Sequence, residues 1–357
     1  MSSEAPPPMP PTPAPPPSPA RLLTASAPPA FSKRPSSGWL RFFLIVSLLA
    51  NAGLFFYLRA ACSQRGIGGT PFSERHLSGE HGAKHRIAVI RIEGLIATEI
   101  GGRIGYDGMV GDIREQMRLA IEDDTVKAIL LRIDSPGGEV LASDEIYRVV
   151  REARKLKPVV CSMGSVAASG GYYAAMGANW IVADNLTITG SIGVVLETLN
   201  YKGLFDKIGL KSLTLKSGKF KDLLNGGRDP SEEEIQLVQS LIMESYEQFL
   251  GIVAAERKLD REDLRNGIAD GRVLSGKQAL AAKLVDQLGS FQDAVKKAEE
   301  MGKAPEAEVF DYVVPFSLRN FLSLFAEARA PKIDLGLAAP TLRLKPGKLY
   351  YLSLHLY

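Results

Sequence analysis

Histidine is nearly missing from this chain: among 357 residues only His76, His81, His85 and His355 are histidine. None stands between positions 86 and 354, so a site built inside that stretch must work without the side chain that most often moves protons near neutral pH. Cysteine is scarcer still, with two residues. Cys62 borders an apolar segment and Cys161 falls within a predicted strand, which excludes a disulfide framework and zinc fingers. A surplus of one charge is lacking too: 43 Lys and Arg against 40 Asp and Glu leave a formal charge of +3, with no long basic run. The electrostatic footprint of a nucleic-acid binder is therefore absent. His81 and His85 lie four apart in a polar, Gly-containing stretch with no acidic motif member between them, which gives no expectation of a metal site.

What the chain does have is unevenly distributed. Thirteen of its 22 prolines precede position 36, so residues 1–37 read as an extended, disordered tail. "GWLRFFLIVSLLANAGLFFYLRA" follows, apolar from Trp39 to Tyr57 except for Arg41, Ser47 and Asn51. About 20 residues at 1.5 Å each cover roughly 30 Å of hydrocarbon, and Arg41 can snorkel while Trp39 and Tyr57 sit at the headgroups. Residues 38–59 are expected to be an uncleaved transmembrane anchor. A cleaved signal peptide would carry an untypically long, proline-rich leader, and Arg59 spoils a lipoprotein-like reading of "RAAC". Arg21, Lys33, Arg34 and Arg41 on one side, against Arg59 and Arg65 on the other, favour a cytoplasmic N-terminus and a globular part outside the cytoplasm. Residues 60–84 read as a polar stem.

From Arg86 strands alternate with helices: "RIAVIRI", a helix near 112–121, "KAILLRI", a helix near 139–155, "PVVCSM", then "WIVAD" and "SLTLKSG" as further strands. Short, near-continuous apolar strands with intervening helices imply an α/β fold with βαβ units and a sheet covered on both faces. Asp229 as N-cap, Pro230 in the first turn and Glu232 at the acidic third position open a helix whose apolar stripe, Ile235, Val238, Ile242, Tyr246, Phe249 and Val253, is read as core or subunit contact. The apolar, aromatic stretch beyond 305, with "LYYLSLHLY" at its end, suits packing on a neighbour or a membrane surface.

Two glycine corners can carry chemistry. "LLRIDSPGGEV" runs a strand into Gly137-Gly138 with a helix starting near Glu139, and "VAASGGYYAAM" places Ser169 before Gly170-Gly171 at the opening of another helix. Without side chains, backbone N–H groups there face open space and can receive an oxyanion. Each corner alone is more often a tight turn, but consecutive βα units bring both to the same carboxyl edge of a parallel sheet. An attacking serine needs a base, and no histidine is at hand. A lysine serves when burial favours its neutral form, and Lys216, Lys219 and Lys221 in "LKSGKFKDLLN" are the candidates, which spacing does not separate. "GRVLSGKQ" has Gln278 where a P-loop needs a hydroxyl and reads as a helix start, and no Ser-x-x-Lys occurs.

In order, "DSPGG", "GSVAASGGYYAAMGAN", "TGSIGV" and "KSGKFKD" resemble the short, single-copy form of the signal peptide peptidase A family over roughly residues 85–300. The resemblance implies a Clp protease/crotonase-like α/β fold, a spiral of ββα units, carrying a Ser-Lys serine endopeptidase in residues 85–300, with 301–357 as a C-terminal extension. It makes Ser169 the nucleophile, Lys221 the general base, Gly138 and Gly170 the oxyanion-hole donors, and Ser191 the residue that orients the lysine. No cofactor and no metal are implied. The partners implied are peptide substrates such as released signal peptides, the bacterial inner membrane, and further copies of the chain, with Ser169 of one subunit meeting Lys221 of the next. The family usually has Gly-Leu-Val-Asp where this chain has Lys283-Leu284-Val285-Asp286, a departure in a packing turn. A crotonase-like acyl-CoA enzyme and a non-catalytic membrane scaffold are the rival readings: the first leaves serine, lysine and anchor without a purpose, the second leaves the paired glycine corners unexplained.

Overall fold

The computed structural model describes residues 38–63, 72–98, 108–315 and 349–352. The proline-rich tail, His355 and most of the stretch beyond 315 lie outside the described residues. The chain divides into two compact units, Met1–Gly69 and Thr70–Tyr357. The first contains helix α1 (Gly38–Ser63), whose side chains are described at 38–39 and 41–55. Among the described residues no helix is long and apolar enough to cross a membrane.

The second unit is built on a mixed sheet. Strands β1 (Ser73–Ser78), β2 (Arg86–Glu93), β3 (Val126–Ser135), β4 (Gly137–Glu139), β5 (Val159–Ala168), β6 (Trp180–Ala183), β7 (Ile188–Gly190), β8 (Val273–Ser275), β9 (Gln287–Leu288), β10 (Glu308–Val313) and β11 (Tyr350–Leu352) alternate with helices. These helices are α2 (Gly108–Glu122), α3 (Val140–Ala153), α4 (Gly170–Ala175), α5 (Lys202–Lys207), α6 (Glu232–Arg257), α7 (Arg261–Asn266), α8 (Gly276–Ala281) and α9 (Phe291–Gly302). The sheet order is β1-β10-β2-β3-β5-β6-β9, with β7 on β5 and β8 on β7, while β11 pairs β4 separately. The ladders from β10 through β2, β3, β5 and β6 to β9 are parallel, and β1–β10 and β7–β8 are antiparallel.

The period of two explains why the strands read as continuous apolar runs. Ala88, Ile90 and Ile92 of β2 face one cluster with Ile129, Leu131 and Ile133 of β3, where α2, α3, α4 and α6 also pack. Ile87 and Val89 face the other cluster with Ala128, Leu130 and Val160, covered by Ala294 and Ala298 of α9. On α3, Ala142, Ile146, Val150 and Ala153 recur at helical spacing and are buried. Cys161 is buried in this core, and burial pushes its thiol up, so it is inert.

Several expectations need correcting. "SLTLKSG" is not a strand: residues 209–218 are irregular, with Leu213 at 84% and Leu215 at 88% exposure. Its β-like composition has no sheet edge to join within this chain, and propensity without a pairing partner does not make a strand. Helix α6 is capped by Ser231 rather than Asp229, because Ser231 and Glu234 complete a capping box. Its stripe divides, with Ile235 exposed and Phe249 and Val253 in the core. Residues 73–78, expected in the polar stem, form edge strand β1 against β10, held by Arg75 bonding Asp311 at 2.9 and 2.6 Å. Polar composition hid this strand, since an edge facing water needs no apolar run. The "GRVLSGKQ" stretch does open a helix: Ser275 and Gln278 form the capping box of α8.

Candidate active site

Strand β5 runs to Ala168 and delivers Ser169 directly into α4. Ser169 holds φ 52° and ψ −116°, a conformation that costs a non-glycine residue about 1–3 kcal/mol and is met mostly where function requires it. The turn is pinned on both sides: the Ser169 N–H donates to the Gly190 carbonyl and the Tyr173 N–H to the Ser169 carbonyl, each at 2.8 Å. The residue is 1% exposed, and its Oγ is buried with no hydrogen-bond partner among the described residues. A buried hydroxyl left unpaired beside strained backbone is an unusual expense for a structural serine and the expected state of a nucleophile whose base is elsewhere.

The two glycine corners do meet. A Cβ built on Gly137 would stand 2.6 Å from the Gly170 nitrogen, and one built on Gly170 would stand 3.1 Å from the Gly138 nitrogen. A side chain on Gly138 would overlap the Ile96 carbonyl, because Ile96 bridges Gly138 in parallel and accepts the Glu139 N–H at 2.7 Å. The Gly138 and Gly170 N–H groups thus lie in a crowded corner beside Ser169, near the open N-terminus of α4. Ser191 follows Gly190, which holds the Ser169 backbone; it too has a positive φ, 51°, and its N–H donates to the Arg272 carbonyl at 2.8 Å.

Lys221 does not join them within one chain. It is exposed in a turn region between Gly218 and Asn225. The three lysines nevertheless separate: Lys216 bonds Asp222 at 2.5 Å and the Lys219 carbonyl at 3.0 Å, and Lys219 pairs with Glu233. Among the described residues the Lys221 amine makes no hydrogen bond or ion pair. The chain that precedes it carries exposed apolar side chains, Leu199, Leu204, Ile208, Leu213, Leu215 and Phe220.

Sequence reading missed what covers the corner. β11 lies antiparallel on β4, with Tyr351 opposite Gly138 and Leu352 opposite Gly137. Its other edge pairs with Val195, the two residues exchanging N–H···O bonds of 3.0 and 3.2 Å. The Tyr351 ring is buried between Tyr173 and Phe249, with its hydroxyl donating to the Ser245 carbonyl at 2.9 Å. The Tyr351 carbonyl stands 3.1 Å from where a Cβ on Gly170 would lie. The aromatic end of the chain, expected to cover a neighbour or a membrane, thus covers this chain's own glycine corner at 350–352. Its sequence signal was weak because a three-residue strand carries no period. Burial, then Tyr351 and Asp144, push the Tyr173 hydroxyl up, and it donates to Asp144 at 2.8 Å.

The arrangement is that of a serine hydrolase: a strained, buried serine at a strand-to-helix turn, beside backbone donors, in a trough that takes an extended chain. Residues 151–304 match Peptidase family S49, and residues 97–181 match Clp protease. The chain is 36% identical over 239 residues to a signal peptide peptidase SppA of Enterococcus faecium, covering 65% of this chain and 69% of that one. It is 38% identical over 228 residues to the chloroplastic serine protease SPPA of Arabidopsis thaliana, and 41% over 277 residues to protease 4 of Salmonella typhi. Those alignments cover 63% and 74% of this chain but 33% and 44% of the relatives. Among solved structures, a ClpP1 variant from Listeria monocytogenes superposes with a TM-score of 0.39 at 17% identity, over 58% of this chain and 94% of that one. Fold and site together define a serine peptidase of Clp-protease-like α/β architecture. The chain belongs to peptidase family S49.

Proposed function

We propose that this peptidase cleaves extended apolar peptides, such as released signal peptides, by a Ser169–Lys221 dyad completed between two copies of the chain. The observation that carries the reading is the seat of β11, an extended segment laid antiparallel on β4 with an aromatic side chain buried between Tyr173 and Phe249. A substrate strand in that trough brings its carbonyl to the Ser169 hydroxyl by main-chain pairing, which is sequence-tolerant, while the Tyr173–Phe249 pocket favours large apolar side chains.

In the reaction the Ser169 Oγ forms a bond to the scissile carbonyl carbon as its proton passes to the neutral Lys221 amine. The carbonyl oxygen becomes an oxyanion, received by the Gly138 and Gly170 N–H groups. As the C–N bond breaks, Lys221 returns the proton to the leaving amine, which departs as the new N-terminus. Water then attacks the Ser169 ester, giving its proton to Lys221, and the second product leaves as a carboxylic acid while Oγ regains its proton. Ser191 holds the lysine in line. Two facts support sharing between copies: among the described residues the Ser169 Oγ has no partner, and Lys221 is exposed and makes no hydrogen bond or ion pair, in a segment whose exposed apolar side chains a second copy would cover.

Helix α1 is proposed as a single-pass anchor in a bacterial inner membrane, with the N-terminus cytoplasmic and the peptidase outside. Its support is the apolar run of the sequence from Trp39 to Tyr57, which α1 contains and of which side chains are described only at 39 and 41–55. Such a helix is about 39 Å long, against about 30 Å of hydrocarbon.

Mixing the two inactive variants tests the dyad and its sharing together. Ser169→Ala and Lys221→Ala each lose cleavage of an apolar peptide by roughly 10⁴-fold or more. Dissociated, mixed and reassembled, they regain a substantial part of it, because some sites then pair an intact serine with an intact lysine. Activity in either variant alone overturns the dyad, and a mixture as inert as its parts overturns the sharing.

A further inference from the structure

Glu308, the first residue of β10, is a buried carboxylate with a 4% exposed side chain. Its Oε1 faces two imidazoles, one from β1 and one from the segment that leads on to β2: His76 Nδ1 at 3.1 Å and His81 Nδ1 at 2.9 Å. Its Oε2 accepts the Gly82 N–H at 3.0 Å and lies 3.5 Å from Arg86 Nε, which fixes the carboxylate so that Oε1 points at both rings. The three donor atoms all lie within 4.8 Å of one another. The ring centroids are 5.4 Å apart with planes at 89°, so the two rings do not stack. His85, the neighbour in sequence that pairs with His81 at a spacing of four, does not take part.

We propose that His76, His81 and Glu308 form a binding site for a divalent cation of the zinc class. The donor set, two imidazole nitrogens and one carboxylate oxygen, is one that zinc accepts at about 2.0–2.2 Å. Ligand atoms at that distance in tetrahedral array stand about 3.3–3.5 Å apart, so the Oε1 contacts widen only by a few tenths of an ångström on binding. Cation binding removes the need for both imidazoles to place a proton on Nδ1 and share one oxygen. His81 is 85% exposed and His76 37%, which leaves a side open for water as the fourth ligand. Gly82 and Arg86 act as the outer shell that orients the carboxylate. None of these residues belongs to the elements that carry Ser169. The cation would tie the β1–β2 connection to β10 across a separation of 227 to 232 residues, clamping the edge strand.

The full chain is freed of metal with a chelator and titrated calorimetrically with zinc chloride, with cobalt(II) as a spectroscopic probe. One zinc per chain is expected, with visible bands of tetrahedral cobalt and a thermal midpoint that rises with zinc and falls back with chelator. His81→Ala and His76→Ala weaken binding at least as much as loss of an outer-shell partner does, about 10- to 100-fold, and abolish the cobalt bands. Because His81 is on the surface, its variant keeps the metal-free thermal midpoint and separates lost binding from lost folding. Absence of stoichiometric binding, or binding equal in both variants and the parent, overturns the proposal.

Discussion

Tyr351 stacks on Tyr173, with ring centroids 4.9 Å apart and planes inclined by 22°, and Tyr173 stands four residues after Ser169 in the helix that the serine opens. Strand β11 therefore occupies the trough along β4 at the glycine corner that adjoins Ser169. A tethered segment competes at an effective concentration of about millimolar, so deleting residues 349–357 is expected to raise peptide cleavage roughly 10-fold at low substrate. The initial rate, and the rate at which a serine-directed phosphonate labels Ser169, measure this. An unchanged rate would mean that the strand leaves the trough on its own far more often than it occupies it.

Gly138 has no room for a methyl group, since a Cβ there would overlap the Ile96 carbonyl. Gly138→Ala is expected to destabilise the domain by about 1–3 kcal/mol, the range for forced overpacking. It should also lower kcat more than KM, because the displaced N–H would serve the oxyanion and not the ground state. Denaturant unfolding and steady-state kinetics on the same preparation check both.

Lys283 occupies φ 58° at the end of α8, where the Leu284 N–H bonds the Ala279 carbonyl and the Lys283 N–H the Leu280 carbonyl. This is a Schellman end, and its left-handed position suits glycine. A non-glycine residue there costs about 1–2 kcal/mol, and glycine loses about 0.5–1 kcal/mol in chain entropy, so Lys283→Gly is expected to stabilise by about 0.5–1 kcal/mol. A thermal midpoint that falls would contradict this.

The segment that carries Lys221 is tied down by Arg228, which bonds Asp222 at 2.8 and 2.9 Å and Glu234 at 2.8 Å. Arg228, then Lys216, hold the Asp222 carboxyl well below the usual carboxylate range, and Arg228, then the Ser231 N–H, hold Glu234 at about 2. Both folded values are depressed, so their stabilisation is complete above the unfolded carboxylate range of about 4 and is lost as pH falls from there through about 2. Hydrogen exchange of residues 216–228 is expected to quicken across that window, and Arg228→Met should produce the same exchange at neutral pH. Protection that persists in Arg228→Met would show that other contacts order the segment.

The sheet strands and the two glycine corners were legible because buried parallel strands are apolar on both faces and because tight approaches admit only glycine. Ile87 through Ile92 and Ile129 through Ile133 announce themselves this way. β1 was hidden by its polar edge, and "SLTLKSG" misled because its leucines have nothing to pair with in one chain. The choice among Lys216, Lys219 and Lys221 was beyond spacing, since it depends on which amines find carboxylates in space.

By itself, the sequence determined the residue types available: a serine before two glycines, no histidine between positions 86 and 354, and three lysines within one short stretch. Those are matters of residue type, and no folding changes them. Only the tertiary structure decided that Gly137, Gly138 and Gly170 share one corner, that Ser169 is buried with strained backbone and a hydroxyl unpaired among the described residues, and that Tyr351 lies across the corner. These relations join residues far apart in the chain, and the parallel register that brings β3 and β5 to one edge fixes the two glycine corners side by side, while the tail strand is set by pairing across β4.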